Sequence, residues 1–291
     1  MLIESRPIKL TTRTGIEVNR TIPHRALKTI GAWCFIDHFG PTKQTDGMVV
    51  AAHPHTGLQT VTWLFEGEIE HRDSIGSIQL IRPGQLNLMT AGQGISHSEL
   101  SLATTENLHA VQMWIALPKE SIDVAPAFEH QENLPEVSGD EFTARVLIGE
   151  FMGVQSPTTK FSDLVGVELS LKPGDHRFEL NPDYEYGLML AEGELLVEGV
   201  ALPISSLKYV PTGNTEAAIS VNEPSKLMLV GGVPFPEKIL MWWNFIGREH
   251  EDIVTAREEW NARNDRFGEF EDRIGGWIPA PDLPSVSLQA R

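Results

Sequence analysis

Apolar residues come in short runs of period two, each closed by glycine, proline or charged turn formers, and this pattern predicts β-strands joined by tight turns. Residues 58–66 (LQTVTWLFE), 78–82 (IQLIR), 86–90 (LNLMT) and 109–117 (HAVQMWIAL) are rich in β-branched, aromatic and aliphatic side chains. Turns such as Glu66-Gly67-Glu68 and Arg82-Pro83-Gly84 bound them. A second set, 144–149, 165–171, 186–198 and 226–230, follows the polar stretch 129–141. The expected domain boundary lies in that stretch, giving domains 1–135 and 136–291. An offset of 126 residues sets Glu66-Gly67-Glu68 on Glu192-Gly193-Glu194 and brings Arg82-Pro83-Gly84 within a few positions of Pro211-Thr212-Gly213. Duplication of one β-barrel is the economical reading, and the fold class is all-β. One segment breaks the period: residues 248–265 place Ile253, Ala256 and Trp260 at helical spacing with charges between, as in an amphipathic helix packed on the β-structure. Residues 278–291, with three prolines and little periodicity, read as a loosely attached tail.

Composition narrows the function classes. Among 291 residues, 40 acidic against 23 basic side chains leave a formal charge of −17, which repels phosphate backbones and anionic headgroups. Direct nucleic-acid or membrane binding is therefore not expected. The lone cysteine, Cys34, permits no internal disulfide and lies in the apolar run Trp33-Cys34-Phe35-Ile36, so it reads as inert packing in a cytoplasmic protein. No apolar run is long enough to span a bilayer, and the opening residues lack an apolar signal core.

Six of the ten histidines, His38, His53, His55, His71, His97 and His109, fall within a quarter of the chain. His53-Pro54-His55 precedes a strand, and side chains two apart in extended chain share a face, so both imidazoles can converge on one point. His97-Ser98-Glu99 repeats the spacing after the turn Gly92-Gln93-Gly94. Two such pairs on neighbouring strands make a four-point clamp of three imidazoles and one carboxylate, suited to Fe(II), Mn(II), Ni(II) or Cu(II); packing in a core is the alternative for either pair taken alone. Thiolate-rich structural zinc is excluded by the cysteine count. Asp37 and His71 are candidates for a pocket role or for ordinary loop hydrogen bonds. Strand alternation puts Gln59, Val61, Trp63 and Phe65 on the face that carries His53 and His55. No serine or cysteine triad is evident.

The ordered series His53-Pro54-His55-Thr56-Gly57-Leu58-Gln59-Thr60-Val61, Leu64-Phe65-Glu66-Gly67, His71-Arg72-Asp73-Ser74, Pro83-Gly84 and Met89 through Glu99 resembles the pirin family. So do Asp37-His38-Phe39-Gly40-Pro41 upstream and Trp242-Trp243-Asn244-Phe245-Ile246-Gly247-Arg248 downstream. The resemblance runs from about residue 15 to 260. It implies a bicupin of two stacked β-barrels with a C-terminal helix alongside. It implies one divalent metal, usually iron with Mn, Ni, Cu or Zn as alternatives, held by His53, His55, His97 and Glu99 in the N-terminal barrel. The C-terminal barrel is expected to be metal-free, because the offset places Glu179, Asn181, Glu223 and Ser225 at the ligand positions, with His176 the nearest imidazole. The implied activity is that of a quercetinase, a dioxygenase that opens the heterocycle of a flavonol with O2 and releases carbon monoxide. Glu99, the ligand with lone pairs to spare, is the expected proton acceptor. The alternative is a non-catalytic, redox-responsive iron protein that regulates a protein partner, either a transcription factor or a metabolic enzyme. A monomer is expected. Many pirins carry charged residues where this chain has Thr56, Gln59 and Gln93, so its redox poise and substrate preference are open to change.

Overall fold

The computed structural model describes residues 1–10, 17–43, 48–102, 107–273 and 275–290. They are strand-rich with one α-helix, and no helix among them is long and apolar enough to cross a membrane. The chain forms two compact units. One comprises 8–18, 39–130 and 236–291, and the other 1–7, 19–38 and 131–235.

In the first unit, nine strands follow in chain order: β1 (Trp33–Lys43), which enters it at Phe39, β2 (Val49–His55), β3 (Leu58–Glu66), β4 (Ile69–Asp73), β5 (Ile78–Ile81), β6 (Leu86–Thr90), β7 (Ile95–Ser101), β8 (Asn107–Ala116) and β9 (Ala127–Gln131). One sheet has the order β2-β7-β4-β5, and the other, seven-stranded, includes the run β9-β6-β3-β8-β1 and continues through Glu17–Ile22 to Arg6–Lys9. Leu64 and Ala110 meet Ile69 and Ile81 in a shared apolar core. Eight of the nine residues of β3 are buried, so it is a strand covered on both faces. Turn chemistry fixes how β2 leads into β3 and how β6 leads into β7. Gly57 has φ +71°, and a Cβ there would lie 2.3 Å from the Ile246 carbonyl oxygen. Gly92 has φ +51°, and its Cβ would lie 1.9 Å from the Val124 carbonyl oxygen, so only glycine fits this turn.

In the second unit, β10 (Phe142–Ile148), β11 (Leu164–Leu171), β12 (Gly174–Glu179), β13 (Glu185–Val197), β14 (Leu207–Val210) and β15 (Glu216–Gly232) are antiparallel members of one sheet. Val146, Val167, Leu169, Phe178, Leu188 and Leu229 belong to its core. The expected duplication has a backbone counterpart: Gly67 and Gly193, paired by the offset, have φ +97° and +94°, while Gly84 and Gly213 have φ +84° and +88°.

The helix α1 (His250–Asn261) buries Ile253, Ala256 and Trp260. The Asp252 carboxylate accepts the Arg248 and Glu249 backbone N–H groups at 2.7 and 2.9 Å, satisfying donors at the N-terminus. The expectation of a loose tail is corrected for 278–290. The Ile278 N–H donates to the Ala52 carbonyl at 2.8 Å, Leu288 N–H donates to His250 Nδ1, and Ala280, Leu283 and Leu288 pack with the helix. Prolines interrupt periodicity without preventing the residues between them from packing. Trp260 is the centre of this region, lying 5.5 Å from the Phe267 ring and 5.3 Å from the Trp277 ring, and its indole N–H donates to the Ile278 carbonyl at 2.9 Å. Trp260→Ala is expected to cost about 3 to 5 kcal/mol in denaturant unfolding. A loss under about 1 kcal/mol would show that this packing contributes little.

Candidate metal centre

The site arises from the register of three strands. β7 pairs with β2 so that His97 faces His53 and Ile95 faces His55, and with β4 so that His97 faces Asp73 and Glu99 faces His71. A two-residue period on each strand therefore gathers three pairs on one face: His53 with His55, His97 with Glu99, and His71 with Asp73. A register irregularity between His97 and Glu99 on the β2 side re-aims that strand locally.

Candidate ligand atoms of His53, His55 and His97 all lie within 4.8 Å of one another, and so do those of His71, His97 and Glu99. The four sequence-predicted residues thus appear as three converging imidazoles with the Glu99 carboxylate beside one of them. The ring centroids of His53 and His97 are 4.3 Å apart, and His55 lies 5.1 Å from each. His53 Nδ1 donates to the Ala51 carbonyl at 2.9 Å, and His55 Nδ1 donates to the Asn244 carbonyl at 3.2 Å. These bonds put the proton of each ring on Nδ1 and leave Nε2 as a lone pair. His97 Nε2 is fully buried with no hydrogen-bond partner. A buried imidazole nitrogen in that condition, next to two others with free lone pairs, is a fit for a metal cation.

Electrostatics keep the cluster neutral. Burial pushes His53 down to about 4, and the Ala51 hydrogen bond opposes it. Burial and the neighbouring imidazoles hold His55 and His97 well below the ordinary histidine value. Burial raises Glu99, against the opposing influence of the Thr62 hydroxyl, which lies 3.4 Å from its Oε1. Trp114 presents its ring to His55 at 5.1 Å, and Phe128 stacks on His71 at 4.5 Å.

Other candidates lie elsewhere or play different parts. Asp37 is held by Arg20 through two bonds of 2.6 and 2.7 Å, and His38 Nδ1 lies 2.6 Å from Ser205 Oγ, all in the second unit. His109 packs on Phe65. The expectation that Gln59, Val61, Trp63 and Phe65 continue the face of His53 and His55 is corrected. Gly57 resets the alternation between β2 and β3, so Thr62 reaches Glu99, whereas the Gln59 amide donates to Thr90 Oγ1. Gln93 is exposed between buried Gly92 and Gly94, and its carbonyl accepts from Arg266. Asp73 is an addition that sequence reasoning missed, although His71-Arg72-Asp73 has the same i, i+2 spacing as the two pairs that were singled out. Thr62 and Trp114 arrive from the facing sheet, and no local spacing announces them.

The neutral imidazoles make metal-free stability depend on pH. An unfolded histidine binds a proton near 6.5, whereas folded His53 does so only near 4. Between those values the unfolded state holds more protons, so stability falls as pH falls. The raised Glu99 acts in the opposite sense just above its ordinary value of 4.5, against three histidines. The melting temperature of chelator-treated protein is expected to drop between about pH 6.5 and about pH 4; a flat profile would contradict burial of the neutral rings.

Comparison with known proteins agrees with this architecture. The chain matches the Pirin family model over residues 15–115 and the Pirin C-terminal cupin domain over 166–268. A Pseudomonas aeruginosa protein provisionally named quercetin 2,3-dioxygenase is 42% identical over 273 residues, covering 93% of this chain and 87% of that one. A pirin-like protein of Caulobacter vibrioides is 35% identical over 279 residues, covering 92% and 95%. The crystal structure of a quercetin 2,3-dioxygenase from Acinetobacter baumannii superimposes with a TM-score of 0.95 at 42% identity, over 98% of this chain and 96% of that one. A nickel(II) complex of an Escherichia coli bacterial pirin, 19% identical with a TM-score of 0.63, shares the fold over 80% of this chain and 99% of that one. Two cupin-type units, a C-terminal helix and a buried histidine cluster are here joined to extensive sequence identity, and the chain belongs to the pirin family.

Proposed function

We propose that this pirin is a metal-dependent dioxygenase that opens the central heterocycle of a flavonol such as quercetin with O2 and releases carbon monoxide. One divalent transition metal, iron foremost, is held by His53, His55, His97 and Glu99, so that the ligands all come from residues 1–135. The observation that carries this reading is the buried, unpartnered Nε2 of His97 among imidazoles whose Nδ1 atoms are already committed. The names of the Pseudomonas and Acinetobacter relatives support the reaction class. When bound, the metal supplies Lewis acidity to the substrate's oxygen and a redox partner for O2.

The chain's own residues orient the substrate and move its proton. Glu99, raised by burial, is a stronger base than an exposed carboxylate and accepts the proton of the flavonol 3-hydroxyl. Thr62 accommodates both states of Glu99. Its Oγ1 lies 3.0 Å from Gln112 Oε1 and 3.4 Å from Glu99 Oε1. A hydroxyl has one proton and two lone pairs, so it can donate to ionised Glu99, or donate to Gln112 while accepting from protonated Glu99. Trp114 and Phe128 bring apolar ring surface to the imidazoles, suited to a flat aromatic ligand.

Protein loaded anaerobically with Fe(II) is expected to consume quercetin and release carbon monoxide under air, and His53→Ala/His97→Ala to lose both together with bound metal. Full iron occupancy without carbon monoxide release would overturn the flavonol assignment and favour the regulator of a protein partner. Glu99→Gln is expected to lower kcat by about 10²-fold or more, with a smaller fall in metal occupancy. Equal losses in the two would remove the proton-acceptor role.

A further inference from the structure

The three imidazoles of the metal centre are not held alike. His53 and His55 donate from Nδ1 to peptide carbonyls, whereas His97 Nδ1 lies 3.3 Å from another ring nitrogen, His71 Nδ1. Two nitrogens at that distance share one proton, and the rest of the chain decides which ring carries it. His71 Nε2 lies 3.0 Å from Asp73 Oδ2, and both residues are buried. The Asp73 carboxylate is anchored in turn, since its Oδ1 accepts the backbone N–H groups of Ile75 and Ser77 at 3.1 and 2.9 Å. An ionised carboxylate only accepts, so His71 places its proton on Nε2. Its Nδ1 is then a lone pair that accepts from His97 Nδ1–H. The orphaned His97 Nε2 becomes the lone pair aimed at the metal.

From this geometry we infer that His71 and Asp73 are positioning residues that fix the tautomer and orientation of His97 through the chain Asp73–His71–His97. The inference rests on the reading of His97 as a metal ligand. Strand register builds the chain, because β4 sets Asp73 opposite His97 and His71 opposite Glu99. Phe128, stacked on His71 at 4.5 Å with an interplanar angle of 20°, restrains that ring from rotating. Hydrogen-bonded partners behind a ligating histidine fix its ring and raise its basicity. A carboxylate-backed imidazole does this more strongly than a neutral peptide carbonyl, so His97 is the ligand whose donor strength is tuned by ionisable side chains.

Asp73→Asn tests the direction of the chain. Oδ1 of the new amide stays on the Ile75 and Ser77 N–H groups, so its NH2 faces His71 Nε2 and becomes the donor. His71 must then carry its proton on Nδ1, and His97 must move its own to Nε2, where it blocks the metal. Long-range proton–nitrogen NMR of metal-free protein labelled at histidine is expected to show Nδ1–H on His97 and Nε2–H on His71 in the parent, and Nε2–H on His97 in Asp73→Asn. Ni(II) affinity, read by competition with a chelator, is expected to fall by about 10- to 100-fold in Asp73→Asn. In His71→Asn, whose Oδ1 stands where Nδ1 stood, it is expected to stay within about threefold, because the acceptor for His97 is kept. A His97 proton on Nε2 in parent protein that does bind Ni(II) would overturn the inference, whatever happens to the variants. So would parent-like affinity and tautomer in folded Asp73→Asn. A loss in His71→Asn as large as that in His97→Ala would instead assign the His71 ring to the metal. Parent protein that binds no Ni(II) would fail the ligand reading itself, and flavonol turnover enters neither measurement.

Discussion

Burying several imidazoles against one another is unfavourable unless every polar nitrogen finds a use, and this constraint organises the first unit. Each buried, unsatisfied group costs about 1 to 3 kcal/mol. The structure settles the Nδ1 side of the account with two carbonyls and one ring nitrogen, and leaves the Nε2 of His97 unanswered. Desolvation prevents the rings from escaping the problem by protonation, since it holds His53, His55 and His97 below their ordinary values. A neutral, preorganised set of lone pairs is what a cation completes, so the same burial that weakens the metal-free protein prepares it for metal. Stability at this site is thereby coupled to occupancy through mass action.

Much of this was legible in the sequence because its geometry is local. His53 with His55 and His97 with Glu99 share faces by the two-residue period of a strand, and Ile253, Ala256 and Trp260 share one by the helical period. Gly92 announces the turn before β7 because no side chain fits beside the Val124 carbonyl. What was not legible depends on register or on contacts between sheets. Thr62 reaches Glu99 only because Gly57, with its positive φ, shifts the alternation between β2 and β3, and a face carried straight through that turn selects Gln59 and Trp63 instead. Asp73 needed the pairing of β4 with β7 to acquire meaning. The packing of the tail is not legible because proline content speaks to backbone freedom and not to whether Ala280, Leu283 and Leu288 find a surface to cover.

The second unit shares turn conformations with the first but carries other polar side chains at the positions matched to the candidate ligands, and the difference lies in how those side chains are satisfied. At the positions matched to His55 and Glu99, the Asn181 side chain accepts the Asp183 N–H at 3.0 Å, and Ser225 Oγ donates to the Glu223 carbonyl at 2.7 Å and accepts the Glu194 N–H at 3.1 Å. His176 Nε2 donates to the Lys172 carbonyl at 2.9 Å. Each closes on backbone nearby in the chain or on a paired strand. In the first unit the corresponding groups point past their neighbours and converge, which is the costlier arrangement and the one that can bind.

The chemistry-bearing strands also depend on chain that lies far beyond them. His55 reaches 189 residues forward for the Asn244 carbonyl, and Ser96 and Ser98 of β7 donate to the Phe267 carbonyl and the Asp272 carboxylate. Trp260 and Trp277 hold that returning segment, and the Ile278 N–H closes it onto Ala52, one residue before His53. The alternation that places the histidines is local, whereas the proton on Nδ1 of His55 is set by a peptide from the C-terminal part of the chain. Cutting the protein between its two strand sets would keep the ligand spacing and remove the acceptor that directs His55 Nε2 toward the metal. The C-terminal helix therefore does more than cover a sheet, because the segment it anchors contributes to the tautomer of a ligand.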